Sequence, residues 1–339
     1  LIVEKYRYQF DKSSKKFECP ACDKKRFVKY RDTETNEYLP SRYGKCDRLE
    51  NCGYQLNPYK DGFGKQYQFK QYLRQLISIK PKQKVTLNSI PEKVMLQTLG
   101  SYQLNNFINN LLQNIAFPFE AKDVQRIIEL YYLGTISKGK YTGAITFPFI
   151  DLKGKIRAIQ AKNFYSSNKT MDKTTTFLHA IAKKRYNYDE LLYPLWLRNY
   201  LTNEKKVTCL FGEHLLNQYP YNTVALVEAP KTALYGTLYF GLPNTPDKLL
   251  WLAVYNLPSL NYDKCKVLKG RKVILFPDAS TTGNAYKLWS AKADEFNRTI
   301  DATFMIDNLL EKNSTLNEKA QGYDLADYLV KYDWKHFRK

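Results

Sequence analysis

The sequence predicts a multi-domain α/β protein, with an N-terminal cysteine ribbon, a helical and then basic β-rich middle, and a C-terminal domain on a small parallel sheet. Three observations predict it. Four of the six cysteines fall within the first 52 residues, as Cys19-x2-Cys22 and Cys46-x5-Cys52. Residues 143–165 read as two strands around a tight turn. Beyond Tyr219, short apolar runs alternate with helical patterns, the βαβ rhythm of a mostly parallel sheet.

The cysteines come first. In ECPACDKKRF, Pro20 turns the backbone so that both sulfurs face one point, and in GKCDRLENCGY the glycine after the second pair, Gly53, is free to take positive φ. In a chain with no oxidising context this spacing reads as zinc bound by Cys19, Cys22, Cys46 and Cys52, not as disulfides. Four thiolates around Zn2+ supply folding energy to a module too small to hold itself, with an apparent binding free energy of roughly 10–16 kcal/mol. Cys209 and Cys265 stand apart and read as ordinary buried thiols. The ribbon also carries Phe17, Phe27, Tyr30, Tyr38 and Tyr43 among Lys24, Lys25, Arg26, Lys29 and Arg31. Rings among cations suit stacking on unpaired bases, and they equally suit a small core of the module's own.

The glycines of DGFG (61–64) mark a boundary, followed by a helical pattern at 67–79 and a polar, Pro-interrupted linker at 80–89. Apolar residues at helical spacing predict helix over 91–116 and again over 119–134. GAITFPFI (143–150), a turn at 151–154 and KIRAIQAKNFY (155–165) form a hairpin whose return strand projects Lys155 and Arg157 from one face. Further strands are expected at 223–228, 249–254, 272–277 and 301–306, and helices at 230–240, 283–297 and 322–332. Pro230 sits just inside the first of these helices, where proline is tolerated. The expected domains are 1–62, 63–133, 134–218 and 219–339.

Formal charge is +20, from 53 Lys and Arg against 33 Asp and Glu. An excess of this size favours polyanionic partners through counterion release. AT-rich coding also produces abundant Lys, Asn and Tyr, so the placement of the charge matters more than the total. It is uneven: between Thr135 and Asn187 eleven basic residues face two acids, Asp151 and Asp172. That asymmetry favours a nucleic-acid surface bearing Lys140, Lys155, Arg157 and Lys162 over the alternative, a merely solvated face. No run approaches 18 uncharged apolar residues, which excludes a membrane helix. The opening LIVEKYRYQF lacks the pattern of a secretory leader, so the expectation is a cytoplasmic protein.

Two stretches carry the chemistry. TVALVEAPKTALYGTLYF (223–240) and KVILFPDASTTGNAYKLW (272–289) each run from a buried-type strand onto an acid, Glu228 and Asp278, and then into a helix. In an open α/β sheet ligands collect at the carboxyl ends of parallel strands, so these two acids are candidates for one divalent metal site. Lys231, near a helix N-terminus, faces either a phosphate or solvent. Asp324 and Asp327 read as a helix start favoured by the dipole, or as part of the same sheet edge. His179, His214 and His336 follow no motif, and the four tryptophans read as packing residues.

Taken in order, these parts resemble bacterial DnaG-type primases: a zinc ribbon, a basic β-rich subdomain, then a Toprim domain. They look closest to primase-like proteins of Bacteroidetes mobile elements. Tyr132-x-Gly134 resembles the motif opening the primase catalytic core, and FPFIDLKGKIRAIQAK (147–162) its Phe-Pro strand pair. CLFGEHLL (209–216) resembles the helix start before the Toprim sheet. VEAPKTA (227–233) matches the Toprim glutamate motif, Asp278-x-Ser280-x-x-Gly283 stands at the Asp-x-Asp-x-x-Gly motif, and GYDLADYL (322–329) resembles the Asp-x-x-Asp ending.

The resemblance implies primer synthesis on single-stranded DNA from nucleoside triphosphates. Glu228 and Asp278 would be catalytic and, with Ser280, would hold Mg2+ or Mn2+, and Lys231 would join the nucleic-acid-binding residues. Ser280 stands where the family has a second aspartate, Pro230-Lys231-Thr232 replaces its Gly-x-x-Asp surroundings, and AVYNLPSL (253–260) lacks its glycine-threonine turn. These departures imply one metal held well and a second held weakly or not at all. They also admit a degenerate DNA-binding protein or a Toprim nuclease. No GxxxxGK[ST] loop is present, so unwinding would come from a helicase in trans.

Overall fold

The computed structural model describes residues 6–64, 88–171, 174–202 and 207–338. The helical pattern at 67–79 and most of the linker at 80–89 lie outside the described residues. The chain forms two compact units, residues 1–85 and 86–339.

The first unit is an antiparallel ribbon of β1 (Tyr8–Phe10), β2 (Phe27–Asp32), β3 (Gly44–Cys46) and β4 (Gln55–Leu56), hydrogen-bonded in that order. Its interior consists of two small clusters. Cys19, Phe27 and Cys46 form one, and Tyr30, Leu39 and Tyr43 the other. Phe27, Tyr30 and Tyr43 therefore belong to the module's own core. Gly44 has to be glycine, because a Cβ there would lie 2.4 Å from both the Phe27 ring and the Val28 carbonyl oxygen.

In the second unit the segment expected as one helix over 91–116 is broken. α1 (Glu92–Leu96) ends before Gly100 (φ 124°) and Ser101 (φ 51°), and α2 (Asn106–Asn109) continues as one wide π turn over Asn110–Asn114. The amphipathic α3 (Ala121–Tyr131) ends on Tyr132 in the left-handed conformation. Gly134 follows, wedged so tightly that a Cβ would meet Thr98 Oγ1 at 2.3 Å. These two backbone demands account for Tyr132-x-Gly134.

β5 (Gly134–Thr135), β6 (Ile145–Ile150), β7 (Ile156–Lys162) and β8 (Thr176–Phe177) make an antiparallel sheet, with the predicted hairpin between β6 and β7. Its turn is pinned by Asp151, whose Oδ1 accepts the N–H groups of Lys153 and Lys155 at 2.9 Å. α4 (Leu178–Arg185) and α5 (Leu195–Leu201) follow.

The C-terminal part holds the expected parallel sheet. β9 (Val224–Val227), β10 (Leu250–Ala253), β11 (Lys272–Leu275) and β12 (Thr303–Ile306) pair in the order β10-β9-β11-β12, every neighbour parallel. β9 and β10 are buried throughout, as strands covered on both faces must be. α6 (Pro230–Phe240) is apolar around its circumference and almost wholly buried. Its Gly236 lies against Trp251, where a Cβ would come within 2.2 Å of the ring. α7 (Tyr262–Cys265) is short. α8 (Asn284–Thr299) buries Ala285, Trp289, Ala293 and Phe296 at helical spacing. α9 (Leu309–Asn313), α10 (Leu316–Gln321) and α11 (Leu325–Leu329) complete the unit.

One hydrophobic core joins these parts. It runs from Phe107 and Phe119 through Phe147 and Phe211 to Leu226, Trp251 and Trp334. The Tyr131 hydroxyl fastens α3 to the parallel sheet through Thr237 Oγ1 (2.8 Å) and the Trp251 carbonyl (2.9 Å). The helical, antiparallel and parallel segments thus share one large core, with two smaller buried clusters around Ile159 and around Ala144. No helix among the described residues is long and apolar enough to cross a membrane.

Candidate metal and nucleic-acid sites

The four ribbon cysteines converge. Their sulfurs all lie within 4.8 Å of one another, with Cys19 to Cys52 at 3.7 Å and Cys22 to Cys46 at 4.0 Å. Tetrahedral zinc with Zn–S near 2.3 Å needs sulfurs about 3.8 Å apart, so the donor set fits Zn2+. The Lys24 N–H approaches the Cys22 sulfur and lowers that thiol to about 7, which favours the metal-binding thiolate.

The second site is built by strand pairing. β9 and β11 are parallel neighbours in register, Leu226 opposite Leu275. Glu228, one residue beyond β9, and Asp278, three beyond β11, therefore emerge at the same end of the sheet. Carboxylate oxygens of the two lie within 4.8 Å of one another. Oxygens sharing one octahedral Mg2+ are about 3–4 Å apart, given Mg–O of about 2.1 Å, so this pair fits a single hard cation.

Lys162, the last residue of β7, brings positive charge to the acids. Burial lowers its pKa and the Lys231 charge adds to that effect, while Asp324, Glu228 and Asp278 draw it back up. The last residue of the antiparallel strand β7 thus lies within electrostatic reach of the acids at the carboxyl edge of the parallel sheet.

Lys231 faces neither phosphate nor solvent. It is 7% exposed, in the first turn of α6, with Nζ 2.8 Å from Asp324 Oδ2 and 3.0 Å from Asp327 Oδ1. Burial works against its charge, but the two carboxylates outweigh burial and raise its pKa. Lys169 donates to the other Asp327 oxygen at 2.7 Å. Burial alone would raise the Asp327 pKa, yet the two lysines hold it below the usual carboxylate value. Asp324 also caps α11, its Oδ1 accepting the Asp327 N–H at 2.8 Å.

Ser280 is fully buried, and its Oγ accepts the Ala285 N–H at 3.1 Å, bracing the turn into α8. Arg157 is drawn inward as well. Its guanidinium meets Asp151 Oδ2 at 2.7 Å and donates to the Asn88 carbonyl at 3.2 Å. Lys140 and Lys155 are exposed, as are Lys138, Lys153, Lys169, Lys184 and Arg185. Cys209 and Cys265 are buried thiols. Trp251, Trp289 and Trp334 are buried packing residues.

Glu213 and Lys264 escaped the sequence reading. Glu213 is buried beside the β6–β7 turn and accepts the N–H groups of Leu152 (3.2 Å) and Leu210 (3.0 Å). Burial pushes it up to about 7. Lys264 is buried with Nζ donating to the Val254 carbonyl at 2.8 Å, and burial pulls it down to about 8. Burial and a backbone partner, neither of which the local residue pattern announces, distinguish each residue from a surface charge.

Residues 6–68 match the model of a zinc beta-ribbon finger family. Among solved structures, the chain is similar to the primase fragment of Bacteriophage T7 primase-helicase protein, at 11% identity and a TM-score of 0.35, over 91% of this chain and 94% of that one. It is also similar to the Aquifex aeolicus primase (zinc binding and RNA polymerase domains), at 11% identity and a TM-score of 0.37, over 97% and 78%. The DnaG primase catalytic domain bound to ssDNA is similar at 15% identity and a TM-score of 0.33, over 72% and 68%. No curated protein matches the sequence. Residues 105–279, just over half the chain and spanning α2 to Asp278, match a further family model, and the chain belongs to that family, described as a domain of unknown function, DUF6371.

Proposed function

We propose that this chain is a primase-like nucleic-acid-binding protein that makes short primers on single-stranded DNA by metal-dependent nucleotidyl transfer. The observation that carries the reading is the convergence of Glu228 and Asp278 at the carboxyl end of paired parallel strands, with Lys162 beside them. The order of motifs along the sequence supports it. Glu228 and Asp278 would hold one Mg2+ or Mn2+, which when bound neutralises charge developing on a transferred phosphoryl group. Lys162 would draw the triphosphate or the template backbone towards the acids. The exposed lysines of the β5–β8 region would add sequence-independent grip on DNA. Zinc would be structural, a helicase would act in trans, and a mobile element of the Bacteroidetes would be the setting.

The experiment is incorporation of labelled nucleoside triphosphates on single-stranded template with Mg2+ or Mn2+. Asp278→Asn is expected to abolish product and the tighter Mn2+ binding together. Product that persists unchanged in Asp278→Asn refutes the assigned site.

A second reading is a DNA-binding protein of the same ancestry without polymerisation. The withdrawal of Ser280 into the α8 turn and the pairing of Lys231 favour it, since both remove groups that a two-metal site would use. It predicts salt-sensitive DNA binding that survives Glu228→Gln with no product formed. Nicking of labelled DNA with Mn2+ would instead identify a nuclease using the same acids.

A further inference from the structure

Lys231 stands three residues beyond Glu228, and its ammonium lies between two carboxylates that do not depend on it for their positions. Asp324 is fixed as the cap of α11, and Asp327 is held by Lys169 from the opposite side. The Asp278 loop is tied to the same place, because the Ala279 N–H donates to the Tyr323 carbonyl at 2.8 Å. The buried Tyr235 hydroxyl lies in the field of both aspartates, next to the buried amide of Asn168. Taking Lys231 away would leave two anchored carboxylates facing one another across the space its ammonium fills. This is the hard-ligand environment that divalent Mg2+ or Mn2+ prefers.

We propose that Lys231 is a built-in cation: its ammonium takes the place between Asp324 and Asp327 that a second divalent ion would occupy, and so limits this edge of the sheet to one exchangeable metal. Asp324 and Asp327 are matched by two ammonium groups, Lys231 and Lys169, so this pair of carboxylates offers no uncompensated charge to a divalent ion. The figure of one rests on the metal reading of Glu228 and Asp278; the Asp324–Lys231–Asp327 half stands without it.

The test is equilibrium titration of the zinc-loaded full chain with Mn2+, with free Mn2+ followed by electron paramagnetic resonance. Wild type should bind one Mn2+, lost in Asp278→Asn. Lys231→Ser should gain one additional site, at least about a hundredfold tighter than any second site in wild type. The gain should vanish when Asp324→Asn and Asp327→Asn are added. Lys231→Met, which fills the space without charge, should gain none or a much weaker site. Mn2+ should also raise the melting temperature of Lys231→Ser by more than it raises that of wild type. A folded Lys231→Ser with no added site overturns the proposal, as does a wild type that already binds two ions. If Lys231→Ser does not fold, Lys231→Gln takes its place under the same criteria. A wild type that binds no Mn2+ beside a Lys231→Ser that binds one would sink the Glu228–Asp278 reading and leave the built-in cation standing.

Discussion

Replacing Glu213 with glutamine should make the larger unit more stable, and increasingly so as pH rises. The carboxyl is 6% exposed and titrates near 7 instead of 4.5, chiefly through burial; Asp151 adds to the rise, and Lys264 and two backbone N–H groups oppose it. A folded-state pKa above the unfolded one means that the folded chain binds more protons between those values. The contribution is therefore full below pH 4.5 and is lost as pH climbs through 7. Linkage puts the ionisation cost at about 1 kcal/mol at pH 5 and about 3 kcal/mol at pH 8. Glutamine escapes that cost and forfeits one hydrogen bond to a backbone N–H, a loss that is the same at both pH values. The stability difference should thus shift by about 2.5 kcal/mol in favour of Glu213→Gln between pH 5 and pH 8. Urea unfolding followed by tryptophan fluorescence measures it cleanly, because all four tryptophans lie within 196–334, in the larger unit. A difference that stays constant across this range would refute the burial argument.

Three further outcomes follow from the packing. Chelating zinc, or Cys46→Ser, should unfold the ribbon and abolish a one-to-one zinc content; a ribbon whose amide protons stay protected from exchange after chelation would contradict the zinc-held fold. Gly236→Ala should cost about 3 kcal/mol by driving a methyl into the Trp251 ring, and an effect within about 0.5 kcal/mol of zero in urea unfolding would show that α6 has slack. Arg157→Ala should cost about 2 kcal/mol by leaving Asp151 unpaired, with little change in the salt dependence of DNA binding, whereas removing Lys138, Lys140 and Lys155 together should flatten that dependence. The opposite pattern would restore Arg157 as a DNA contact.

The architecture was legible where local pattern decides structure. The strands at 224–227, 250–253 and 272–275 are apolar runs long enough to cross a covered sheet, and α6 begins at Pro230 as the sequence predicts. The cysteine spacing specifies its own geometry. What stayed hidden depends on partners far away in the chain. Lys231 finds its aspartates 93 and 96 residues later, and nothing around PKTALYG announces an acid pair. Ser280 looks like a ligand oxygen until the α8 turn claims it. The break at Gly100 and Ser101 was masked because apolar residues keep helical spacing on both sides of it.

The ring stack of Tyr131 on Phe211, with Phe147 edge-on to the same ring, has a mechanical consequence. Rings interlocked between α3, β6 and Phe211, which itself bridges to Ala253 at the end of β10, brace the β6–β7 hairpin against the parallel sheet. Lys162 and the acid pair are held at a set spacing, like the jaws of a fixed-gap wrench. Any local adjustment there falls to the loops at their rim.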